Sequence, residues 1–389
     1  MKSKIKNIIK YNRWIYRIYY RIFNTLLKFW GAFIRTDKSL ILINSFAGRK
    51  YDDSPKNIYE EIKRDSRFKD CKIVWAFDNP EQYGDIGCKK IKTDTIEYFK
   101  TALKARVWIT NSSVERGLGF KKKNTIYFNT WHGTPMKKMG TDIASDNTSF
   151  RTKNKKSYID VMTSQGDFET DIFSRTFRIE KSKFLTSGLP RNDVLVNYSQ
   201  EDVVKIKKKL NIPLDKKVIL YAPTFREYTK NSLMECVMNI PMNIDKWKNE
   251  LENKYVILFR VHYEVGKNLN IKNDDFVRDV TDYTCLNDLM IASDILISDY
   301  SSIFFDFSIT SKPMLHFTYD FDDYSVNRGM YFDIRDYLSG SNNENDLIDL
   351  LQNISIEDET KKSIHFRDSF VQYYGNATKA CVDCIFELM

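Results

Sequence analysis

Ile295-Leu296-Ile297-Ser298-Asp299-Tyr300-Ser301-Ser302-Ile303-Phe304-Phe305-Asp306-Phe307-Ser308-Ile309 changes its hydrophobic habit in mid-run. Residues 295–298 are short, apolar and β-branched, as a buried strand is; turn formers follow, and the apolar run 303–309 reads as a helix. The stretch is therefore strand, turn, helix, the unit from which α/β folds are assembled. Ser301 and Ser302 fall where N-cap residues belong, so their hydroxyls and the free amides of the first turn would face the space beyond the strand's carboxyl end. Open α/β sheets bind ligands there, and a helix N-terminus suits a phosphate. An ordinary serine cap has the same sequence signature.

The same alternation extends in both directions. Residues 218–221, 255–261 and 314–317 read as further strands and 286–291 as a helix. Nearer the N-terminus, 40–44, 72–77, 107–110, 125–130, 161–163 and 183–186 read as strands with helix-like stretches between most of them. A polar, basic stretch at 197–215 suits a linker and a first helix. A chain of 389 residues exceeds what one core of roughly 250–300 residues sustains. The expectation is α/β with two Rossmann-like domains, at 36–199 and 200–389, preceded by a separate segment at 1–35.

That first segment is basic and amphipathic. Lys10, Arg13, Arg17, Arg21 and Lys28 fall along one helical face and Ile8, Ile15, Ile18, Tyr19, Ile22 and Leu26 along the other, with no acidic residue before Asp37. This is the pattern of a helix lying in a membrane interface against an anionic surface. Packing on the protein, or a grip on nucleic acid, would use similar residues. A signal peptide fits poorly, because charges interrupt the apolar region and no small-residue cleavage site follows. The net charge of +9 points to an anionic partner. Six scattered cysteines suit reduced thiols in a cytosolic compartment, and Cys381 with Cys384 reads as helix packing.

Residues 126–130 deliver Trp131-His132-Gly133-Thr134-Pro135, a histidine at a strand end followed by turn formers. An imidazole held so can serve as a base at a cleft mouth or simply bond to backbone. Only four histidines occur, His132, His262, His316 and His365. Arg260 and His262 alternate along a strand-like run, which puts both on one face with Val261 on the other.

In order, Thr130-Trp131-His132-Gly133-Thr134-Pro135, Tyr221-Ala222-Pro223-Thr224-Phe225-Arg226, Leu258-Phe259-Arg260-Val261-His262, and Ser298-Asp299-Tyr300-Ser301-Ser302 with Asp306 resemble the CDP-glycerol glycerophosphotransferase family. Members build teichoic acids and related glycerol-phosphate polymers, and the resemblance spans residues 39–333. It implies the GT-B architecture, two Rossmann-like domains facing a cleft. It also implies transfer of glycerol phosphate from CDP-glycerol to a hydroxyl of a lipid-linked saccharide or growing polyol-phosphate chain, releasing CMP at the cytoplasmic membrane face.

On that resemblance His132 is the general base, and Arg260 and His262 are catalytic residues that hold the pyrophosphate. Pro223 and Thr224 contact the nucleotide, and Ser301, Ser302 and Asp306 hold the donor. Arg191, within Gly188-Leu189-Pro190-Arg191-Asn192-Asp193, is another donor contact. Trp131, Gly133, Thr134, Pro135 and Val261 complete the expected CDP-glycerol set. Tyr263 stands where many members have proline. No cofactor and no metal are expected, since no aspartate or His/Cys cluster has ligand spacing, although Asp299 and Asp306 could touch an ion. Two rival readings are a GT-B transferase using CDP-ribitol or a nucleotide sugar, and a basic nucleic-acid-binding protein. A segment with Phe317, Tyr319, Phe321 and Tyr324 among Asp320, Asp322 and Asp323 would bind a polyol or cover a core edge.

Overall fold

Alternating apolar residues place two interleaved layers on each strand, and both layers are buried, which requires cover on both faces. The computed structural model describes residues 12–143, 157–224, 242–261 and 273–389. After helix α1 (Arg13–Phe33) come β1 (Asp37–Asn44), α2 (Asp53–Arg64), β2 (Lys72–Phe77), β3 (Lys89–Lys92), α3 (Ile96–Lys104), β4 (Ala105–Thr110), β5 (Ile126–Asn129), β6 (Val161–Ser164), α4 (Asp167–Phe177) and β7 (Phe184–Thr186). The seven strands form one parallel sheet in the order β3-β2-β1-β4-β5-β6-β7. Ile41 and Ile43 of β1 pack on one face with Ile58 and Tyr59 of α2, while Leu40 and Leu42 pack on the other with Tyr98 and Leu103 of α3.

The second half repeats the plan. It contains α5 (Gln200–Lys209), β8 (Lys217–Tyr221), α6 (Ile244–Leu251), β9 (Tyr255–Phe259), β10 (Val277–Asp279), α7 (Leu286–Ala292), β11 (Ile295–Ser298), α8 (Ile303–Ser308), β12 (Met314–Phe317), α9 (Phe321–Arg328), β13 (Gly340–Ser341), α10 (Glu344–Gln352) and α11 (Ile356–Phe370). Its parallel sheet runs β10-β9-β8-β11-β12-β13, so strand order reverses between β8 and β11 as it does between β1 and β4. Crevices at such reversals are where open α/β sheets bind ligands. The two domains face one another across a cleft, the GT-B arrangement.

Several expectations need correction. The stretch expected at 255–261 ends as a strand at Phe259, which leaves Arg260 and Val261 just past it, and His262 lies outside the described residues. α8 is only six residues long, and its N-cap Ser302 makes no side-chain cap bond; Ser301 Oγ instead accepts from the Ile303 amide at 3.3 Å. The aromatic-acidic segment forms α9, and Tyr324 is buried and stacked on Tyr300 with ring centroids 4.0 Å apart, so this segment covers a core edge. The second domain does not keep the chain to its end. α12 (Ala377–Leu388) returns to the first domain, where Cys381, Val382 and Ile385 join the core formed by Ile41, Ile58 and Trp75.

Helix α1 buries one side against the first domain. Tyr16 donates to the Gly117 carbonyl, Asn24 accepts from the Gly119 amide, and Leu27 enters the core beside Tyr19, Tyr20 and Trp30. Trp14, Ile18, Ile22, Leu26, Phe29 and Phe33 stay exposed as a continuous apolar stripe flanked by Arg17, Arg21 and Lys28. Tyr19 therefore leaves the stripe expected from periodicity, and Trp14, Phe29 and Phe33 join it. The expected Ile8 and Lys10 lie outside the described residues.

Candidate active site

The carboxyl ends of β1, β5, β8 and β11, and the turn just past β9, converge on a cavity of about 840 Å³. Its lining includes Trp131, His132, Gly133, Thr134, Pro135 and Arg191 from the first domain and Pro223, Thr224, Arg260, Val261, Ser301, Ser302 and Asp306 from the second. Every expected site residue that the structure describes is thus gathered in one place.

His132 is fixed by its backbone and by one strong partner. Trp131 adopts a left-handed φ of 50°, and its indole stacks on the imidazole at 4.2 Å. A non-glycine residue in that conformation is held there by its surroundings. His132 Nδ1 lies 2.7 Å from the Asn111 carbonyl oxygen. A carbonyl only accepts, so Nδ1 carries the proton and Nε2 keeps its lone pair. Solvent reaches the ring, but both domains wall it in. Desolvation lowers its pKa, opposed by the Asn111 carbonyl and Asp53 and assisted by Arg191. The result is a neutral imidazole whose Nε2 has no hydrogen-bond partner among the described residues.

The turn after His132 meets the second domain directly. A Cβ on Gly133 would come within 2.9 Å of Ser302 Oγ, and Gly133 sits at φ 153°, so glycine allows the two loops to touch. Lys138 N donates to the Gly329 carbonyl and Tyr331 N to the Met136 carbonyl, both at 3.0 Å, which zips residues 136–138 to the second domain.

Arg191 is a clamp between domains. Nη1 reaches Asp53 at 3.0 Å, and Nη2 reaches Asp306 Oδ2 at 2.9 Å, with all three side chains largely buried. Sequence suggested a donor contact; both arms here are engaged by carboxylates. Arg260 is different. Its Nη1 donates to the carbonyls of Val280 and Tyr283, while Nε and Nη2 have no hydrogen-bond partner among the described residues. Burial lowers its pKa, although an arginine stays cationic. Asp299 Oδ1 accepts from the amides of Thr224 and Tyr300 and so holds two cleft loops together. Among the described residues no group of three acidic, histidine or cysteine side chains is placed to hold a metal.

Several residues of the site were not anticipated. Phe46, also left-handed, lies 5.8 Å from the His132 ring, and its amide donates to Asn111 Oδ1 at 2.7 Å. Asp53 lines the cleft, and Asn111, Gln165, Glu169 and Asn192 sit behind its wall. Asn111 directly follows strand β4 at the sheet's reversal point, the one position among these that a topological argument could have singled out.

Residues 27–387 match the family model for CDP-glycerol:poly(glycerophosphate) glycerophosphotransferase. The chain is 34% identical to a teichoic acid glycerol-phosphate transferase of Staphylococcus aureus over the whole of both chains. It is 33% identical to a teichoic acid poly(glycerol phosphate) polymerase of Bacillus spizizenii over 86% of each. A variant of the wall teichoic acid polymerase TagF superimposes with a TM-score of 0.82 at 32% identity, covering 90% of this chain and 89% of that one. The same variant soaked with CDPG gives 0.81.

Proposed function

The chain belongs to the CDP-glycerol:poly(glycerophosphate) glycerophosphotransferase family, and we propose that its cleft transfers glycerol phosphate from CDP-glycerol to an acceptor hydroxyl with His132 as general base. The acceptor is a lipid-linked saccharide or a growing polyol-phosphate chain in teichoic acid synthesis. The observation that carries the reading is the Asn111 carbonyl on His132 Nδ1, which leaves Nε2 basic at the cleft.

A hydroxyl is a poor nucleophile at neutral pH. His132 Nε2 accepts its proton as the oxygen attacks the β-phosphorus; the new P–O bond forms as the bond to the bridging oxygen breaks, and CMP leaves. Charge grows on the bridging oxygen, and a preorganised cation there lowers the barrier. Arg260, whose Nε and Nη2 have no partner among the described residues, and the hydroxyls of Ser301 and Ser302 supply that environment. A six-residue helix has a small dipole, so the serine hydroxyls and Arg260 carry more of this role than α8 does. Arg191 and Asp306 also line the cavity, and their ion pair holds the two walls together. Pro223, Thr224 and Val261 line the second-domain side, where the nucleotide belongs.

The exposed apolar stripe of α1, flanked by arginines and lysine, fits an anionic bilayer surface. No helix among the described residues is long and apolar enough to cross a membrane. We place the enzyme as a peripheral protein at the cytoplasmic face, where α1 would bring the cleft to a lipid-linked acceptor.

The His132→Ala variant tests the central assignment. Loss of a general base costs about 10²–10⁴ in rate. Turnover measured with CDP-glycerol and a lipid-linked acceptor is expected to fall by that factor, with CDP-glycerol affinity by calorimetry retained. Near wild-type turnover would remove His132 from the mechanism.

A further inference from the structure

Glu169 is a fully buried carboxylate to which the reaction as described gives no task. It lies in the first turn of α4, three residues after the N-cap Gly166, and its Oε2 accepts from the Gln165 amide at 2.6 Å. Helix capping accounts for that oxygen. It does not account for the other one, Oε1, which accepts from the Thr134 hydroxyl at 3.1 Å.

From Thr134 a chain of hydrogen bonds runs across the domain boundary. Thr134 Oγ1 accepts from Gln165 Nε2 at 2.8 Å. Gln165 Oε1 accepts from Asn192 Nδ2 at 3.2 Å, and the second proton of that amide goes to Asp306 Oδ1 at 2.7 Å. All five side chains are buried, so each of these bonds has no water to replace it. The donation order is fixed by chemistry. An amide nitrogen only donates, and the two ends, Glu169 and Asp306, accept in their ionised forms. The chain therefore joins the turn that carries His132 to the helix that follows Ser301 and Ser302.

We infer that Glu169 is a positioning residue for the transfer reaction, acting through Thr134 to hold the His132-Gly133-Thr134-Pro135 turn in register with Asp306 and the donor-side serines. The inference rests on the reading of His132 as the base. That turn needs an external hold, because Trp131 is left-handed and the Gly133 backbone passes against Ser302. Burial raises the Glu169 pKa to about 7, opposed by the Gln165 amide and the Thr134 hydroxyl, so its charged form depends on the two groups that it positions. A base misplaced by about 1 Å costs up to about a hundredfold in rate, a large return for one buried carboxylate.

Glu169→Gln keeps the side chain's shape and removes one acceptor. In the full chain, kcat is expected to fall about ten- to hundredfold while the calorimetric Kd for CDP-glycerol stays within about twofold. Added to His132→Ala, it should lower the residual rate by less than about twofold, since the group that it positions is gone. Thr134→Val and Thr134→Ser provide a second route should Glu169→Gln fail to fold: valine should lose kcat as Glu169→Gln does, and serine, which keeps the hydroxyl, should restore it. A thermal midpoint that falls with kcat intact, or losses that multiply in the His132→Ala background, would overturn the inference. A fully active His132→Ala would instead overturn the base assignment. An inactive His132→Ala beside normal kcat in both Glu169→Gln and Thr134→Val would overturn the positioning role alone.

Discussion

At the scale of single residues, the motifs exposed the groups that face the cleft and hid the groups behind them. His132, Arg260, Ser301 and Ser302 lie beside turn formers at strand ends, where a side chain's purpose shows in its neighbours. Arg191 was legible only as a cation in a turn, because its partner Asp53 stands 138 positions earlier and nothing local connects them. The pairing has an energetic consequence. Removing one member of a buried ion pair leaves uncompensated charge and costs about 3–5 kcal/mol. Arg191→Met should lower the unfolding free energy by that amount in urea titrations, since Asp53 and Asp306 are both stranded. Adding Asp306→Asn should recover part of the loss by discharging one of them. If Arg191→Met leaves stability unchanged, the guanidinium is not the clamp described and is available to substrate.

At the scale of elements, period and composition revealed the central strands and the edge strand β7, and missed the edges β3, β10 and β13. β3 is Lys89-Lys90-Ile91-Lys92, three lysines around one apolar residue, and β13 is two residues long. Charged, short edge strands resist pairing with other chains, and the same property removes the apolar signal by which a strand is read. In α1 the helical period is right, yet it serves two contacts at once. Asn24, Leu27 and Gly31 face the protein, whereas Ile18, Ile22 and Leu26 remain 53–58% exposed. Serine at those three exposed positions should leave the thermal midpoint nearly unchanged, because the fold does not bury them. Sedimentation with anionic liposomes should be lost, while the basic residues alone contribute about 1 kcal/mol each and only at low salt. Unchanged sedimentation of the triple variant would move the membrane contact elsewhere.

At the scale of the molecule, two Rossmann-like halves could be counted from alternation, but the path of the last helix could not. α12 reads as an ordinary amphipathic helix at the end of the second half, and no local feature states which sheet it covers. Its partners decide. Cys381, Val382 and Ile385 are buried among Ile41, Ile43, Ile58 and Trp75, and the Ala377 and Thr378 amides are held by Asp193 at 2.9 and 2.7 Å. The first domain's core is thus closed by α12, and the chain crosses between the two halves twice, once after β7 and once before α12. Ile385→Ala should cost about 2–5 kcal/mol, as deletion of a buried branched side chain does. The informative readout is where that cost falls. Native-state hydrogen exchange should show protection lost in β1, β2 and α2, far earlier in the sequence, with the strands around β8 and β11 unaffected. Protection lost first in the second domain would mean that α12 is energetically part of the half it follows in sequence, and that its packing on the first sheet is incidental.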